Sequence, residues 1–343
     1  MRLRLIQCGV GGFGGQWIRK ASPQSEDFEL VALVDPNPEA LAKAREIAGL
    51  PADRGFSALE AALDRVEADA VLTVTPPAVH AEHARLAFAR GLHLMTEKPF
   101  ASTLEDARAM AAAAKAAGKV LMVSQNYRFR PSMHTLRRLV EDRVAGDLGH
   151  GRMEFYIPAD FTGTFRETME QPLLVDMAIH HFDLIRFVTG RDIVRVQARS
   201  FRPAWSWFDH HPAAMVLLDL EGGLPFAYLG DWTGKGRPTS WNGDWRLQAA
   251  DGAIHCEHES IRIARCETWN REPQEETVEL EAPPRAEQAA TLAAFAAAIR
   301  AGQAGPLGAE DNLRSFGAVR AAVESARRGG EAVDVEAWIR EGV

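Results

Sequence analysis

The sequence predicts an α/β protein of two domains: an N-terminal doubly wound parallel sheet, then a C-terminal α/β domain with a large open, mostly antiparallel sheet. Three observations predict it. Strand-like and helical segments alternate from residue 3 to residue 124, a glycine-rich turn joins the first strand to the first helix, and beyond residue 190 short strands follow one another through hairpin turns. At 343 residues the chain has length for two cores, by the rough prior of ~150 residues per domain. The expected domains are 1–125 and 126–343, with the final helix a candidate to pack back on the first.

Leu3-Arg4-Leu5-Ile6-Gln7-Cys8 is a short apolar strand, and Gly9-Val10-Gly11-Gly12-Phe13-Gly14 has the spacing G-x-G-x-x-G. Leu30-Val31-Ala32-Leu33-Val34-Asp35 is a second strand ending in a carboxylate. In this context Gly9 permits the tight turn, Gly11 lets the backbone approach a pyrophosphate, and Gly14 lets the helix pack on the strand, with Gly12 and Phe13 between them. The helix N-terminus faces the phosphates. Asp35 lies ~20 residues past the last glycine, where a carboxylate accepts hydrogen bonds from an adenosine ribose; NAD is therefore favoured over NADP.

The alternation continues. Residues 38–48 have helical composition, Phe56 marks a short strand, and Ser57-Ala58-Leu59-Glu60 reads as a capping box opening a helix. Residues 70–75 form a buried-type strand broken by Pro76-Pro77, 79–90 a helix closed by Gly91, and 93–96 a strand. Ser102-Thr103-Leu104-Glu105 caps a helix running to 117, and residues 120–124 are the last strand of the domain. A helix at 132–143 precedes a strand at 150–157 and a polar loop at 158–171 that borders the expected substrate site. Residues 173–189 have helical spacing and end at Gly190. Strands follow at 193–200, 213–220, 224–232, 245–250, 254–257, 260–264 and 277–280, and helices at 286–300 and 310–328.

Charge narrows the function classes. Thirty-nine basic against 47 acidic residues give a net charge of −8, without a basic run, which argues against nucleic acid or an anionic membrane as partner and leaves small molecules. No apolar run approaches the ~20 residues of a membrane span, and no secretory leader is evident, so a cytoplasmic protein is expected. Cys8, Cys256 and Cys266 are too few and too scattered for a disulfide framework or a metal site. Asp209-His210-His211 lacks a supporting ligand at a recognised spacing and is read as a loop, so no metal is expected. Trp205, Trp207, Trp232, Trp241 and Trp245 are expected to pack or to line a subunit interface.

Thr75-Pro76-Pro77-Ala78-Val79-His80, Gly91-Leu92-His93, Glu97-Lys98-Pro99 and the D-x-x-x-H-x-x-D pattern of Asp176, His180 and Asp183 resemble successive signatures of the glucose-fructose oxidoreductase, inositol dehydrogenase and MocA family. The resemblance spans nearly the whole chain. It implies a nicotinamide-dependent dehydrogenase of a sugar, polyol or related hydroxyl compound. It also places Thr75, Pro76, His80, Glu97 and Lys98 at the cofactor and Tyr127 and Arg128 in the substrate cleft. One departure stands out: Gln171-Pro172 occupies a place where the family usually carries glycines.

The chemistry of these side chains agrees with that role. An ammonium on Lys98, after a strand and before a proline, lies near the carboxyl ends of the strands, where it stabilises an alkoxide as hydride leaves an alcohol. Asp176, His180 and Asp183 stand at i, i+4 and i+7, on one face of a uniform helix, while His181 is turned ~100° away. His180 is the expected acid/base and Asp176 its orienting carboxylate, both also contacting substrate with Lys98. Asp183 and His181 are expected to be structural. Arg128 has an alternative as the partner of an acidic neighbour, Tyr127 as a packing residue, and Glu97 as the residue that holds Lys98. Two other readings of the whole chain are a reductase of a non-sugar substrate and a non-catalytic nucleotide-sensing protein of the same fold. A homo-oligomer formed through the second sheet is expected, because helices cover one face and leave another to bury.

Overall fold

The computed structural model describes residues 1–341; the last two positions of the expected second domain lie outside them. The first elements are β1 (Leu3–Cys8), α1 (Gly12–Gln16), β2 (Phe28–Val34), α2 (Pro38–Ala48), β3 (Gly55–Phe56), α3 (Leu59–Leu63), β4 (Ala70–Thr73), α4 (His80–Ala89), β5 (His93–Thr96), α5 (Leu104–Ala117) and β6 (Leu121–Val123). Then come α6 (Pro131–Glu141), β7 (Leu148–Tyr156), α7 (Ala178–Thr189), β8 (Ile193–Phe201), β9 (Ala213–Leu220), β10 (Leu224–Asp231), β11 (Asp244–Ala249), β12 (Gly252–Glu257), β13 (Ser260–Arg265) and β14 (Gln274–Val278). The chain closes with α8 (Glu287–Ala301), α9 (Ala309–Arg327), β15 (Val333–Asp334) and α10 (Val335–Glu341).

Strands buried on both faces read as continuous apolar runs, and β1, β2, β4 and β5 are such runs. They pair in parallel in the order β3-β2-β1-β4-β5-β6, with Ile6, Leu33, Val71 and Leu94 fully buried. This is a Rossmann order, and its reversal between β1 and β4 opens a crevice at the carboxyl ends of the strands. Two caps differ from expectation. Thr103 caps α5, its hydroxyl accepting from the Asp106 N–H at 3.1 Å and donating to the Asp106 carboxylate at 2.8 Å, so the working pair is Thr103 and Asp106 rather than Ser102 and Glu105. Ala58, which has no polar side chain, stands at the start of α3, so the Ser57 box does not form.

The first compact unit comprises Met1–Asn126 and Pro284–Leu313, the second Tyr127–Pro283 and Arg314–Val343. The segment that returns to the first unit is thus α8 with its flanks and the first turn of α9, rather than the final helix as a whole. The cause is visible in its contacts: Phe295 stacks on Phe28 at 5.6 Å, and Arg285 and Arg300 reach Asp27 at 3.1 and 2.7 Å. The expected final helix, 310–328, is α9, of which only the start, to Leu313, belongs to the first unit; the further helix α10 follows β15, which pairs antiparallel with β8 inside the second unit. A two-residue strand carries no periodicity, and no pattern in the chain announces β15 or α10.

The second unit is built on a nine-stranded sheet in the order β14-β13-β12-β11-β7-β10-β9-β8-β15. Only β7 and β10 pair in parallel among these neighbours. The turn between β9 and β10 needs two left-handed residues, supplied by Gly222 (φ 75°) and Gly223 (φ 76°). Along β9 the burial alternates, Val216 and Leu218 inward, Met215 and Leu217 exposed, as in a sheet covered on one face. Trp232 and Trp245 are buried and pack as expected, while Trp205, Trp241 and Trp269 stand exposed. Among the described residues no helix is long and apolar enough to cross a membrane.

The segment 173–189 is not one uniform helix. It opens with a π-helical turn, Leu173–Met177, directly after Pro172, and becomes α-helical only at Ala178. The i, i+4, i+7 arithmetic that put Asp176, His180 and Asp183 on one face does not hold across that junction. Their partners, given below, differ accordingly.

Candidate active site

In the first unit, the glycine turn is set by close backbone approach. A Cβ on Gly9, whose φ is +84°, would lie 2.2 Å from the Val74 carbonyl oxygen, and one on Gly14 would lie 2.2 Å from that of Gly9. Gly11 meets nothing within 4 Å. Packing therefore requires two of the glycines, and the third leaves the open backbone that a pyrophosphate needs; these residues fit a dinucleotide. Gly12 and Phe13 are also exposed on this turn. Gln7, buried in β1, donates from Nε2 to the carbonyls of Gly9 and Gly14 at 3.0 Å each. Sequence reasoning passed over it, although an amide in an apolar strand was a signal. Asp35 accepts from the N–H groups of Val10 and Asn37, each at 2.9 Å. Its carboxylate thus braces the glycine turn and keeps further lone pairs for a ribose.

The five residues expected at the cofactor beyond the glycine turn and Asp35 behave differently from one another. Thr75 is half-buried, its hydroxyl 3.0 Å from that of Thr73, and Pro76 is exposed. His80 is corrected: its ring is fully buried, with Nδ1 3.1 Å from the Phe100 carbonyl and Nε2 3.0 Å from that of Thr75. Burial pushes its pKa down, and a neutral ring donates to one carbonyl at a time. With no surface to offer a ligand, His80 is a strut between the segments after β4 and β5. Glu97 has the partners of its alternative reading, as the residue that holds Lys98. It is 5% exposed; Oε1 accepts from the Trp17 indole and Oε2 from the Lys98 N–H, both at 3.0 Å. Burial pushes its carboxyl up to about 7, against the Lys98 charge, the Lys98 and Trp17 N–H groups and Ser124. Glu97 therefore holds the Lys98 backbone to the helical segment that follows the glycine turn. Lys98 itself is half-buried, with a cis peptide bond to Pro99.

In the second unit, the His180 ring lies flat on Tyr127, centroids 4.1 Å apart and planes 7° from parallel. The Arg130 guanidinium covers the other face of Tyr127 at 3.9 Å. The imidazole plane is therefore fixed by stacking. Asp176 receives Arg166 Nε at 2.6 Å, and Arg166 lies over Phe161 and Phe165 at 5.0 and 4.6 Å. A guanidinium from the 158–171 loop is thus clamped on the carboxylate, a contact that chain spacing does not reveal. Asp183 points elsewhere: it accepts both Arg128 Nε and Nη2, at 2.6 and 2.5 Å, and the Ser315 hydroxyl at 2.8 Å. Arg128 follows its alternative reading, as the partner of an acidic residue. Expected in the substrate cleft, it is 6% exposed and forms a buried bidentate pair, the arrangement a planar guanidinium favours. His181, expected to be structural, is fully buried between the Tyr228 hydroxyl (3.0 Å) and the Trp241 carbonyl (3.1 Å). Burial pushes its pKa down to about 3.

A 3-2-1-4-5-6 parallel sheet with a glycine turn open at Gly11 defines a dinucleotide-binding domain. Residues 3–125 match the oxidoreductase family described as having an NAD-binding Rossmann fold, and residues 133–255 match the GFO/IDH/MocA C-terminal domain. The chain belongs to the Gfo/Idh/MocA family of oxidoreductases. It is 30% identical to the uncharacterized protein y4oX of Sinorhizobium fredii, over 96% of this chain and 95% of that one. It is 34% identical to the D-apiose dehydrogenase of Paraburkholderia graminis over 57% of this chain, spanning about half (52%) of that protein. The fold is also that of an Agrobacterium radiobacter oxidoreductase solved with NAD+, L-tartaric acid and magnesium (TM-score 0.87, 22% identity, 98% of this chain and 99% of that one).

Proposed function

We propose that this oxidoreductase is an NAD-dependent dehydrogenase acting on a hydroxyl-bearing carbon of a sugar or polyol. The observation that carries the reading lies in the first unit: the glycine turn, Asp35, Thr75 and Lys98 follow the carboxyl ends of β1, β2, β4 and β5, along the sheet edge where such folds bind ligands. The nicotinamide, when bound, supplies the acceptor or donor of the hydride. Lys98 stabilises negative charge on the substrate oxygen as the carbinol C–H bond breaks. His180, its plane fixed by Tyr127, takes the hydroxyl proton, and Asp176, held by Arg166, orients His180 or the substrate. Tyr127 presents its edge to substrate, and Asp35 favours the free ribose of NAD over a 2′-phosphate. The D-apiose dehydrogenase relative supports the substrate class. The test is to incubate purified protein with NAD and a panel of sugars, polyols and sugar acids and to follow reduced cofactor by absorbance. Turnover is expected with at least one polyhydroxylated compound, and none with any of them, in either direction, refutes the proposal.

The same reading extends to assembly. Exposed Met215 and Leu217 border a groove of about 420 Å³ on β8, β9 and β10, an apolar face suited to a second copy of the chain. A homo-oligomer in sedimentation is the expected result, and a monomer at micromolar concentration opposes it. Cys8, Cys256 and Cys266 are free thiols, in keeping with a reducing compartment such as the cytoplasm.

A further inference from the structure

The proposed acid/base ring is supported from behind by polar side chains that lead back to a hairpin turn of the second sheet. Arg130, whose guanidinium covers the face of Tyr127 away from His180, donates from Nη1 to Asn242 Oδ1 at 3.0 Å. Asn242 is fully buried. Its backbone is fixed on both sides, the N–H donating to Ser240 Oγ at 3.1 Å and the carbonyl accepting the Trp245 indole at 2.8 Å. Its amide nitrogen donates to both carboxylate oxygens of Glu259 at 3.0 Å, and the buried Ser132 hydroxyl of α6 donates to the same carboxylate. An amide has a donor end and an acceptor end. A carboxylate only accepts and a guanidinium only donates, so Glu259 on one side and Arg130 on the other leave Asn242 a single orientation.

Glu259 holds its place in unfavourable backbone. Glu257 pairs with Ser260 across the turn between β12 and β13, so His258 and Glu259 are its two central residues, and both are left-handed, with φ 47° and 66°. Such a turn favours Asn-Gly, because glycine adopts this conformation freely. A glutamate kept there is the kind of backbone outlier that accompanies a functional side chain. We infer that Glu259 is a positioning residue for the acid/base chemistry, acting through Asn242 and Arg130 to keep Tyr127 flat against His180. The inference rests on the reading of His180 as the base. Without the carboxylate the Asn242 amide can turn, Arg130 loses an anchor, and the stack that fixes the imidazole plane loosens.

Glu259→Gly gives the turn the residue it favours while removing the carboxylate, and Glu259→Gln keeps an acceptor oxygen for the Asn242 amide. The glycine variant should lose about ten-fold or more in kcat for alcohol oxidation at unchanged NAD affinity, since misplacing a reacting group by ~1 Å costs up to ~10²-fold. Glutamine should recover most of that loss. A second readout needs no turnover: in protein labelled with carbon-13 at histidine, the His180 ring resonance, identified by its absence from His180→Asn, is shifted upfield by the Tyr127 ring and should move back toward free histidine in Glu259→Gly. Glu259→Met, with the same backbone cost and no acceptor, should reproduce the glycine result. Unchanged kcat and resonance in both, glutamine no better than methionine, or failure of both glycine and methionine variants to fold overturns the inference. A resonance that moves in a protein with no dehydrogenase activity leaves the network standing and removes the dehydrogenase reading, so the two fail separately.

Discussion

Glu97→Gln should flatten part of the protein's stability profile against pH. In the fold the Glu97 carboxyl titrates at about 7, against its ordinary 4.5, because burial outweighs the donors that favour its charge. A raised carboxyl pKa means that the native state holds a proton the unfolded chain releases. The stabilisation is complete below the unfolded value and is lost as pH rises through the folded one. The span of about 2.5 pH units, at about 1.4 kcal/mol each, amounts to ~3 kcal/mol. Glutamine cannot ionise, and its amide leaves one of the Trp17 or Lys98 donors unmet, a cost of about 1–3 kcal/mol that does not change with pH. The slope therefore carries the information. Urea unfolding of wild type and variant, in steps from about pH 5 to pH 8, should show the variant gaining roughly 2–3 kcal/mol on the wild type across the range, the remainder lying below pH 5. The histidines titrate alike in both proteins and cancel in the difference. A difference constant within ~0.5 kcal/mol across that range would show that Glu97 is ionised throughout. The basic limb of alcohol oxidation, which belongs to His180, should persist in Glu97→Gln.

The other expectations concern chemistry, cofactor and core. Lys98→Met should lower turnover by ~10²-fold or more through loss of oxyanion stabilisation, and His180→Asn by a similar or smaller factor with loss of the basic limb of alcohol oxidation. NAD affinity should be unchanged in both, and wild-type turnover in either variant removes that residue from the mechanism. NAD should bind at least about ten-fold more tightly than NADP, or ~1.4 kcal/mol, because Asp35 repels a 2′-phosphate; equal affinities in a titration would contradict this. Asp183→Asn strips the charge from a buried carboxylate that holds both Arg128 and Ser315 and should cost about 3–5 kcal/mol in denaturant unfolding. A loss under ~1 kcal/mol, the worth of a surface pair, would mean that the pair is solvated.

The first unit was legible because each device in it is local. A buried strand shows as an apolar run, a glycine turn as a spacing, and a ribose-binding acid as a strand terminus. Hairpins of the second sheet were legible at Glu221-Gly222-Gly223 for the same reason. What escaped depends on tertiary partners. The alanine-rich composition of α8 announces a helix but not that Phe295 meets Phe28. Tyr127 and Arg128 are adjacent in sequence, yet one stacks on His180 and the other is buried on Asp183. Helical arithmetic joined Asp176 to Asp183 and failed because the segment opens as a π turn. Arg166 on Asp176 and Trp17 on Glu97 join residues 10 and 80 positions apart, and nothing in the spacing distinguishes either donor from its neighbours.

The assignment of Pro284–Leu313 to the first unit sets an order on biosynthesis. A ribosome adding ~5–20 residues per second completes the strands of the nucleotide-binding sheet long before it makes the helix that covers Phe28. Until α8 emerges, that apolar surface waits uncovered while eight of the nine strands of the second sheet are translated. The nascent protein therefore passes through a stage in which the first unit is open at Phe28, and a chain ending at residue 126 would remain in that state. Such a fragment would invite chaperone binding or self-association, and adding residues 284–313 in trans would be the natural remedy.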